Sequence, residues 1–370
     1  MEKNTIQQNI TRPKVRVIAF YLPQFHPTPE NDKWWGKGFT EWTNVGKAKP
    51  LFKGHYQPKV PADLGYYDLR LPESRIAQAE LAQAYGVEGF CYWHYWFGNG
   101  RQLLQRPFNE VLASGKPDFP FCLAWANHSW EDKQFSKEGT HRMLMEQLYP
   151  GDKDYIAHFN SVLPAFEDHR YIKVDGKPLF VIYAPKEVPE VSHFIELWQN
   201  EAAKHGFRIH FVAHTNFSSD LSRFRSDGFD ASVVVRLFDV FKQDFSLWER
   251  INAKLQRIVL KQGRRIDYER ASHFFNGPED TLPDCYPTLI PNWDHSPRSG
   301  RAGHILINST PEKFEAHALR TFKSVLKKPM EQRIVFLKSW NEWAEGNYME
   351  PDLKFGRGYL EALKRALGAL

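Results

Sequence analysis

The sequence predicts an α/β fold, a single (β/α)8 barrel of the TIM type with long aromatic loops at the C-terminal face. Three observations carry that expectation. Short apolar runs alternate with amphipathic segments along nearly all of the 370 residues, the pattern of a parallel sheet flanked by helices. The runs number about eight, as a closed barrel requires. Several of them, rather than one, end in reactive-looking side chains. A barrel assembles its site from all its strand ends, whereas an open doubly wound sheet concentrates its ligand at one switch point. No Gly-x-Gly-x-x-Gly follows the first run, so the usual sign of a dinucleotide fold is missing.

The expected strands are Val15 to Leu22, Gly89 to His94, Pro120 to Asn127, Pro178 to Tyr183, Ile209 to Asn216, Ala231 to Leu237, Thr288 to Trp293 and Ile334 to Trp340. Each is a largely apolar run, as strands buried on both faces are, and most end in polar or aromatic residues. The helical stretches between them include Pro72 to Tyr85, Asn109 to Ser114, Val191 to His205 and Pro311 to Lys327. Residues 1–13 read as a polar tail and 14–370 as one domain. An insertion occupies roughly 241–284, and within it Ile251 to Arg265 is amphipathic and basic, with Lys254, Arg257, Lys261, Arg264 and Arg265. Its plain reading is a solvated helix face; the sharper one is a contact with an anionic membrane surface or lipid-linked glycan.

Composition narrows the function. Aromatic residues make up 15% of the chain, including 12 tryptophans, and many stand beside Asn, His, Asp and Glu. The tract Cys91-Tyr92-Trp93-His94-Tyr95-Trp96-Phe97 is typical. A ligand with apolar faces and hydroxyl edges, a sugar, suits that mixture. The net charge of +5 is spread along the chain and gives none of the concentrated basic stripe that nucleic acid requires. The three cysteines, Cys91, Cys122 and Cys285, have no metal-type spacing and form no disulfide framework. No His-Glu-x-x-His, Gly-x-Ser-x-Gly or phosphate-loop pattern occurs, so no metal or cofactor is implied. The first dozen residues hold no signal core, and no run reaches the roughly 20 apolar residues that span a bilayer. The expected location is cytoplasmic, with the basic segment allowing a peripheral membrane contact.

The strand ends supply the candidate ligand-binding side chains. The first gives Tyr21, Gln24 and His26, followed by Gly38-Phe39-Thr40-Glu41-Trp42 in its loop; the second gives Trp93, His94, Tyr95 and Trp96. The third gives Trp125, Asn127, His128 and Trp130, the fourth Tyr183, and the fifth His214 and Asn216. The seventh gives Asn292, Trp293, Asp294 and His295, and the eighth gives Trp340, Asn341, Glu342, Trp343 and Glu345, with Glu350 beyond.

Glu342 and Glu345 are the candidate catalysts. In a strand, residues three apart face opposite ways; if the chain turns helically after Glu342 they share a side. Two carboxylates held together beside Trp340 and Trp343 can split their pKa values, since desolvation keeps one protonated while the other stays ionised. Glycosidic cleavage needs that division of labour. The competing reading is structural: both glutamates form salt bridges or cap the following turn.

The runs Ala19-Phe20-Tyr21-Leu22-Pro23-Gln24-Phe25-His26-Pro27, Gly38 to Val45 and Gly54-His55-Tyr56-Gln57-Pro58 resemble the WbsX-like family of bacterial surface-polysaccharide proteins. So do Tyr92 to Phe97, Arg106-Pro107-Phe108-Asn109-Glu110, Trp125-Ala126-Asn127 and Ser339 to Pro351. That family is related to glycoside hydrolase family 99, which includes endo-α-mannosidases built on a (β/α)8 barrel. The resemblance implies that Glu342 draws the proton from a sugar 2-hydroxyl, which attacks the anomeric carbon to give a 1,2-anhydro sugar. Glu345 would protonate the leaving oxygen and then activate the acceptor, with net retention. Two departures bear on the substrate: His128 stands where the family usually has a glutamate, with Glu131 slightly later, and Trp293-Asp294-His295-Ser296-Pro297-Arg298 replaces the usual Trp-Asp-Asn run.

The leading expectation is therefore a retaining glycosidase or transglycosidase acting on a bacterial oligosaccharide or polysaccharide. Its rivals are a glycosyltransferase of polysaccharide assembly, the label WbsX-like proteins often carry, and a catalytically silent glycan-binding barrel.

Overall fold

The computed structural model describes residues 14–132, 142–242 and 263–370. Eight parallel strands form the expected barrel: β1 (Arg16–Tyr21), β2 (Gly89–Trp96), β3 (Phe121–Trp125), β4 (Lys177–Ile182), β5 (His210–Thr215), β6 (Ala231–Val234), β7 (Cys285–Leu289) and β8 (Ile334–Leu337). Each pairs with the next in sequence, and β8 pairs back onto β1 from Arg16↔Ile334 to Ala19↔Leu337. Closure leaves the barrel strands without an open edge. Helices Pro72–Ala84, Arg106–Ser114, Asp152–Glu167, Val191–Lys204, Leu221–Ser226, Tyr268–Ser272, Pro311–Val325 and Gly358–Gly368 follow the successive strands.

The strands are buried along almost their whole length, yet alternate side chains still go to different places. Those facing inward stack across the axis. Phe20 lies 4.7 Å from Trp93 with the rings nearly parallel, and 5.0 Å from Phe336. Those facing outward meet the helices: Tyr21 and Phe90 pack together, Tyr92 packs on Phe108, and Trp125 packs on Phe194. On Pro311–Val325 the stripe Phe314, Ala318, Phe322 and Val325 is fully buried, the spacing of an amphipathic helix.

Two asparagines clasp neighbouring strand ends. Asn341, just past β8, accepts from the Leu22 amide at 2.8 Å and donates to the Leu22 carbonyl at 3.0 Å. Asn127, just past β3, treats Ala184 beyond β4 the same way, at 2.8 Å for both bonds. A side-chain amide offers one acceptor and two donors, so it continues the ladder where backbone pairing stops.

The seventh strand differs most from expectation. It begins at Cys285 and ends at Leu289, short of the expected Trp293. Beyond it the chain leaves the barrel to serve other partners: the Trp293 carbonyl accepts from Leu306, and the Asp294 amide donates to Glu345 O. The sixth and eighth strands likewise stop three residues early, at Val234 and Leu337. Within the region read as an insertion, Arg264–Asp267 pairs with His304–Ile307 as a separate parallel two-stranded sheet. Arg265 of the basic segment lies over the Phe52 ring, 4.5 Å from its centroid. Residues 251–262 of that segment, and the 1–13 tail, lie outside the described residues. Among the described residues no helix is long and apolar enough to cross a membrane.

Replacing Asn341 with Ala leaves the buried Leu22 amide and carbonyl without partners. Each unsatisfied buried group costs about 1–3 kcal/mol, so Asn341→Ala should lower unfolding stability by at least that amount in urea titration. A loss below about 0.5 kcal/mol would show that the clasp contributes nothing.

Candidate active site

A cavity of about 1140 Å³ opens at the C-terminal ends of the strands, lined by side chains from the ends of all eight strands or the loops beyond them. Its floor holds Glu342 and Glu345. The chain passes from an extended pair, Asn341–Glu342, into a 3-10 turn, Trp343–Glu345, and back into Asn347–Tyr348, which pairs with Asn341–Glu342. Residues three apart eclipse on a 3-10 turn, so both carboxylates line one cavity. Gly346 ends the turn with φ 60, and a Cβ there would lie 2.5 Å from Lys59 Nζ and 2.7 Å from the Asp294 Cβ. Only glycine satisfies both the left-handed backbone and that approach.

The two carboxylates have different surroundings. Glu342 is 5% exposed and accepts from the Trp93 indole at 3.0 Å. Burial, reinforced by the neighbouring Glu345 charge, raises its pKa to about 7, although Lys338 and Arg298 oppose the rise. Glu345 instead accepts from Arg298 at 2.5 Å. The other arm of the Arg298 guanidinium donates to Glu41 at 2.7 Å, and Glu41 is fixed through its amide bond to the Gln24 carbonyl. Burial works against the Arg298 charge, but Glu41, Glu345 and Glu342 outweigh it and hold its pKa above the ordinary value. His295, 3.8 Å from Glu345, is kept neutral by burial and by Arg298, its pKa lowered to about 4.

Lys338 completes the floor. Burial disfavours its charge, yet Glu342, Glu345 and Tyr183 more than compensate and raise its pKa. Its ammonium stands 5.9 Å from the Trp293 ring centroid. His214 is neutral, its pKa lowered to about 3 by burial and by Lys338.

Of the side chains expected to meet ligand, the structure brings Gln24, Trp93, Tyr95, Trp130, Tyr183 and Trp293 to the cavity wall with the two glutamates. The others, expected at the same wall, stand elsewhere. Tyr21 points outward and donates to Gln78 at 2.7 Å; His94 lies 2.8 Å from His158 behind the barrel wall; Trp125 donates to the Trp96 carbonyl. Each sits one residue out of phase with an inward neighbour. His26 turns back to the Pro23 carbonyl, and Trp42 donates to the Tyr67 carbonyl, leaving Glu41 to line the cavity. Trp340 packs on Phe90, and Asn127 and Asn341 are the clasps described above.

Asp294 and Glu350 support the turn from behind. Asp294 Oδ2 lies 2.8 Å from His55 Nε2 and accepts from Gln57 at 2.6 Å. Burial resists its ionisation, but His55 and Lys59 overcome that and hold its pKa well below the carboxylate range. Glu350 accepts from Trp343 at 2.6 Å, Gln78 at 2.6 Å and Tyr67 at 2.9 Å, and burial raises its pKa to about 7 against those bonds.

His128, His214, Asn216 and His295 also line the cavity, as their strand-end positions allowed. Arg298 and Lys338 join them at the wall, and the sequence marks Lys338 only as a charge directly after the apolar run Ile334-Val335-Phe336-Leu337. Among the described residues no cluster of His, Cys, Asp and Glu has the arrangement of a metal site.

A family model described as glycosyltransferase WbsX matches residues 17–363. The WxcX proteins of two Xanthomonas campestris pv. campestris strains, themselves uncharacterised, are 38% identical over 357 residues, 95% of this chain and 49% of theirs. The chain thus spans about half the length of the curated relatives it matches. Among solved structures, the GH99 endo-alpha-mannosidase of Bacteroides thetaiotaomicron shares the fold at TM-score 0.56 and 14% identity, covering 95% of this chain and 96% of that one. A glycoside hydrolase-like protein does so at 0.59 and 14%, covering 95% and 94%.

The raised pKa of Glu342 sets a sign for stability. Below its ordinary value of 4.5 glutamate is protonated folded and unfolded, and contributes nothing. Between there and about pH 7 the unfolded chain releases the proton first, so stability falls as pH rises. Glu342→Gln removes that penalty, on the order of 3 kcal/mol, and should melt higher than the parent at pH 8 and equally at pH 4. A variant that melts lower at pH 8 would show the carboxylate to be stabilising. Gly346→Ala should cost at least about 1–2 kcal/mol from backbone strain alone, read by the same melts; an unchanged melting temperature would show that the turn accommodates a side chain.

Proposed function

The chain belongs to the WbsX family, and on that premise we propose that it is a glycan-acting enzyme that breaks or transfers a glycosidic bond with retention, using Glu342 and Glu345. The observation that carries this reading is the pair itself: two carboxylates on one 3-10 turn at a cavity floor, one buried against indole and one paired with arginine. Unequal surroundings are how two identical side chains acquire separate acid and base roles.

In this reading a sugar 2-hydroxyl gives its proton to ionised Glu342, and its oxygen attacks the anomeric carbon. The bond to the leaving oxygen breaks as Glu345 delivers a proton to it. The Glu345 carboxylate then takes a proton from water or another acceptor, whose oxygen opens the 1,2-anhydro ring while Glu342 returns the proton to O2. Atoms balance over the two steps, and the anomeric configuration is inverted twice. A pKa of about 7 for Glu342 suits a base near neutral pH. Glu345 acts as acid only when Arg298 releases it, so the guanidinium must pass wholly to Glu41 or to the ligand during turnover.

The family description favours a second outcome of the same chemistry, transfer to a sugar acceptor instead of water. The side chains described take no position between them, since either acceptor meets the same Glu345 carboxylate. A silent glycan-binding barrel has no use for a carboxyl buried at a cost, as Glu342 is.

Purified surface polysaccharide of the source bacterium, incubated with the protein, should yield new reducing ends or transfer products. Glu342→Gln and Glu345→Gln should each lower that rate by about 10²–10⁴-fold while polysaccharide binding persists. Undiminished turnover in either variant would remove that residue from the mechanism. Turnover that depends on an added sugar nucleotide would replace the reading with nucleotide-sugar transfer.

A further inference from the structure

The cations of the cavity wall are paired unequally. Arg298 divides its guanidinium between Glu345 and Glu41, and its side chain remains 26% exposed. Lys338 Nζ has no hydrogen-bonded or ion-paired oxygen among the described residues, and its recorded neighbour is the Trp293 face. Lys47 and Lys49, on the loop after β1, line the same cavity and pair with no carboxylate among the described residues. An ammonium offers three donors, and one inside a cavity is left without acceptors only at a cost.

Tuning Glu342 does not account for all of this. With Glu342 ionised, as its role as base requires, the lining carboxylates Glu41, Glu131, Glu342 and Glu345 equal the cations in number, yet Lys338, Lys47 and Lys49 form no ion pair with them among the described residues. A neutral glycan offers such ammonium groups no charged acceptor. An anionic group beside Lys338 would supply its missing acceptors and give the Arg298 guanidinium an alternative partner to Glu345.

We propose that the cavity takes an anionic glycan, with a carboxylate or phosphate on a sugar seated between Lys338 and Arg298 and further negative charge directed by Lys47 and Lys49. The inference rests on the reading of the cavity as a glycan site and names its substrate class. It also gives the release of Glu345 a cause. The ligand's own charge draws Arg298 away, so the acid is freed only when the right sugar is seated. The groups facing this subsite are Glu342 and Glu345 from the turn, Tyr183 after β4, His295 and Trp293 after β7, and Glu41 through Arg298.

The test is binding of the full chain to a microarray of bacterial glycans, followed by titration of the best ligand. Bound glycans should carry uronate or phosphate, and raising NaCl from 0.05 to 0.5 M, an arbitrary experimental range of about tenfold, should weaken binding. Chemical reduction of the ligand's carboxyls should abolish binding if the anion is a uronate; phosphatase treatment should do so if it is a phosphate. Lys338→Met should weaken the acidic ligand at least about tenfold, and the exposed pair Lys47→Ala with Lys49→Ala, which leaves the floor untouched, should weaken it less. Capture of neutral glycans only, capture of none, equal affinity for the neutralised ligand, or full affinity in both variants would each overturn the proposal. Turnover of a neutral glycan would sink this inference and leave the retaining mechanism standing. Acidic ligand bound but never turned over would do the reverse.

Discussion

The return of β8 onto β1 governs the rest of this molecule. It removes the open edge of the barrel, and it does so at the point where the chain delivers its paired carboxylates. Asn341 belongs to both tasks. Its side chain extends the β1–β8 pairing by one more rung, and its backbone leads directly into Glu342. The turn that follows is therefore anchored to a closed cylinder and not to a mobile loop, which holds catalytic geometry better.

Around that anchor the site is organised by uneven charge. Glu342 is denied water and denied a cation in direct contact, whereas Glu345 is given one. Arg298 reaches from the loop after β7 to acids contributed by two other strand ends, so a single guanidinium links three loops. Behind the turn, Asp294 does comparable work with His55, Gln57 and Lys59. The run Gly54 to Pro58, recognisable in the sequence but without assigned chemistry, thus acts through Asp294 on the backbone of Glu345.

Much of this was legible beforehand, and the limits have physical causes. Eight apolar runs announce eight strands because strands covered on both faces carry few polar residues to obscure them. The same feature hid the phase. Where both faces are apolar nothing in Tyr92-Trp93-His94-Tyr95-Trp96 says which side chains turn inward, and so His94 was grouped with Trp93 and Tyr95. At Tyr21 and Trp125 the ambiguity was the same. A helical turn after Glu342 was needed for the paired glutamates to meet, and Gly346 was its visible marker. Arg298 stands in a run that departs from the family pattern, and Lys338 falls inside the expected strand Ile334 to Trp340. Their importance lies in what surrounds them across the barrel, which sequence order does not display.

The stack of Phe20, Trp93 and Phe336 has one more implication. It seals the barrel beneath the glutamates, while the Trp93 N–H holds Glu342 from the same ring. Among the described residues, the cavity at the strand ends is then the passage by which a ligand enters and leaves. A released fragment and an incoming acceptor compete for the same passage, and the order of traffic is settled there: a fragment that lingers excludes bulky acceptors and admits water, while one that leaves promptly opens the way for another sugar. On the proposed reading, whether such a barrel cuts chains or joins them is a matter of residence at the mouth, and so of the loops around it more than of the carboxylates on its floor.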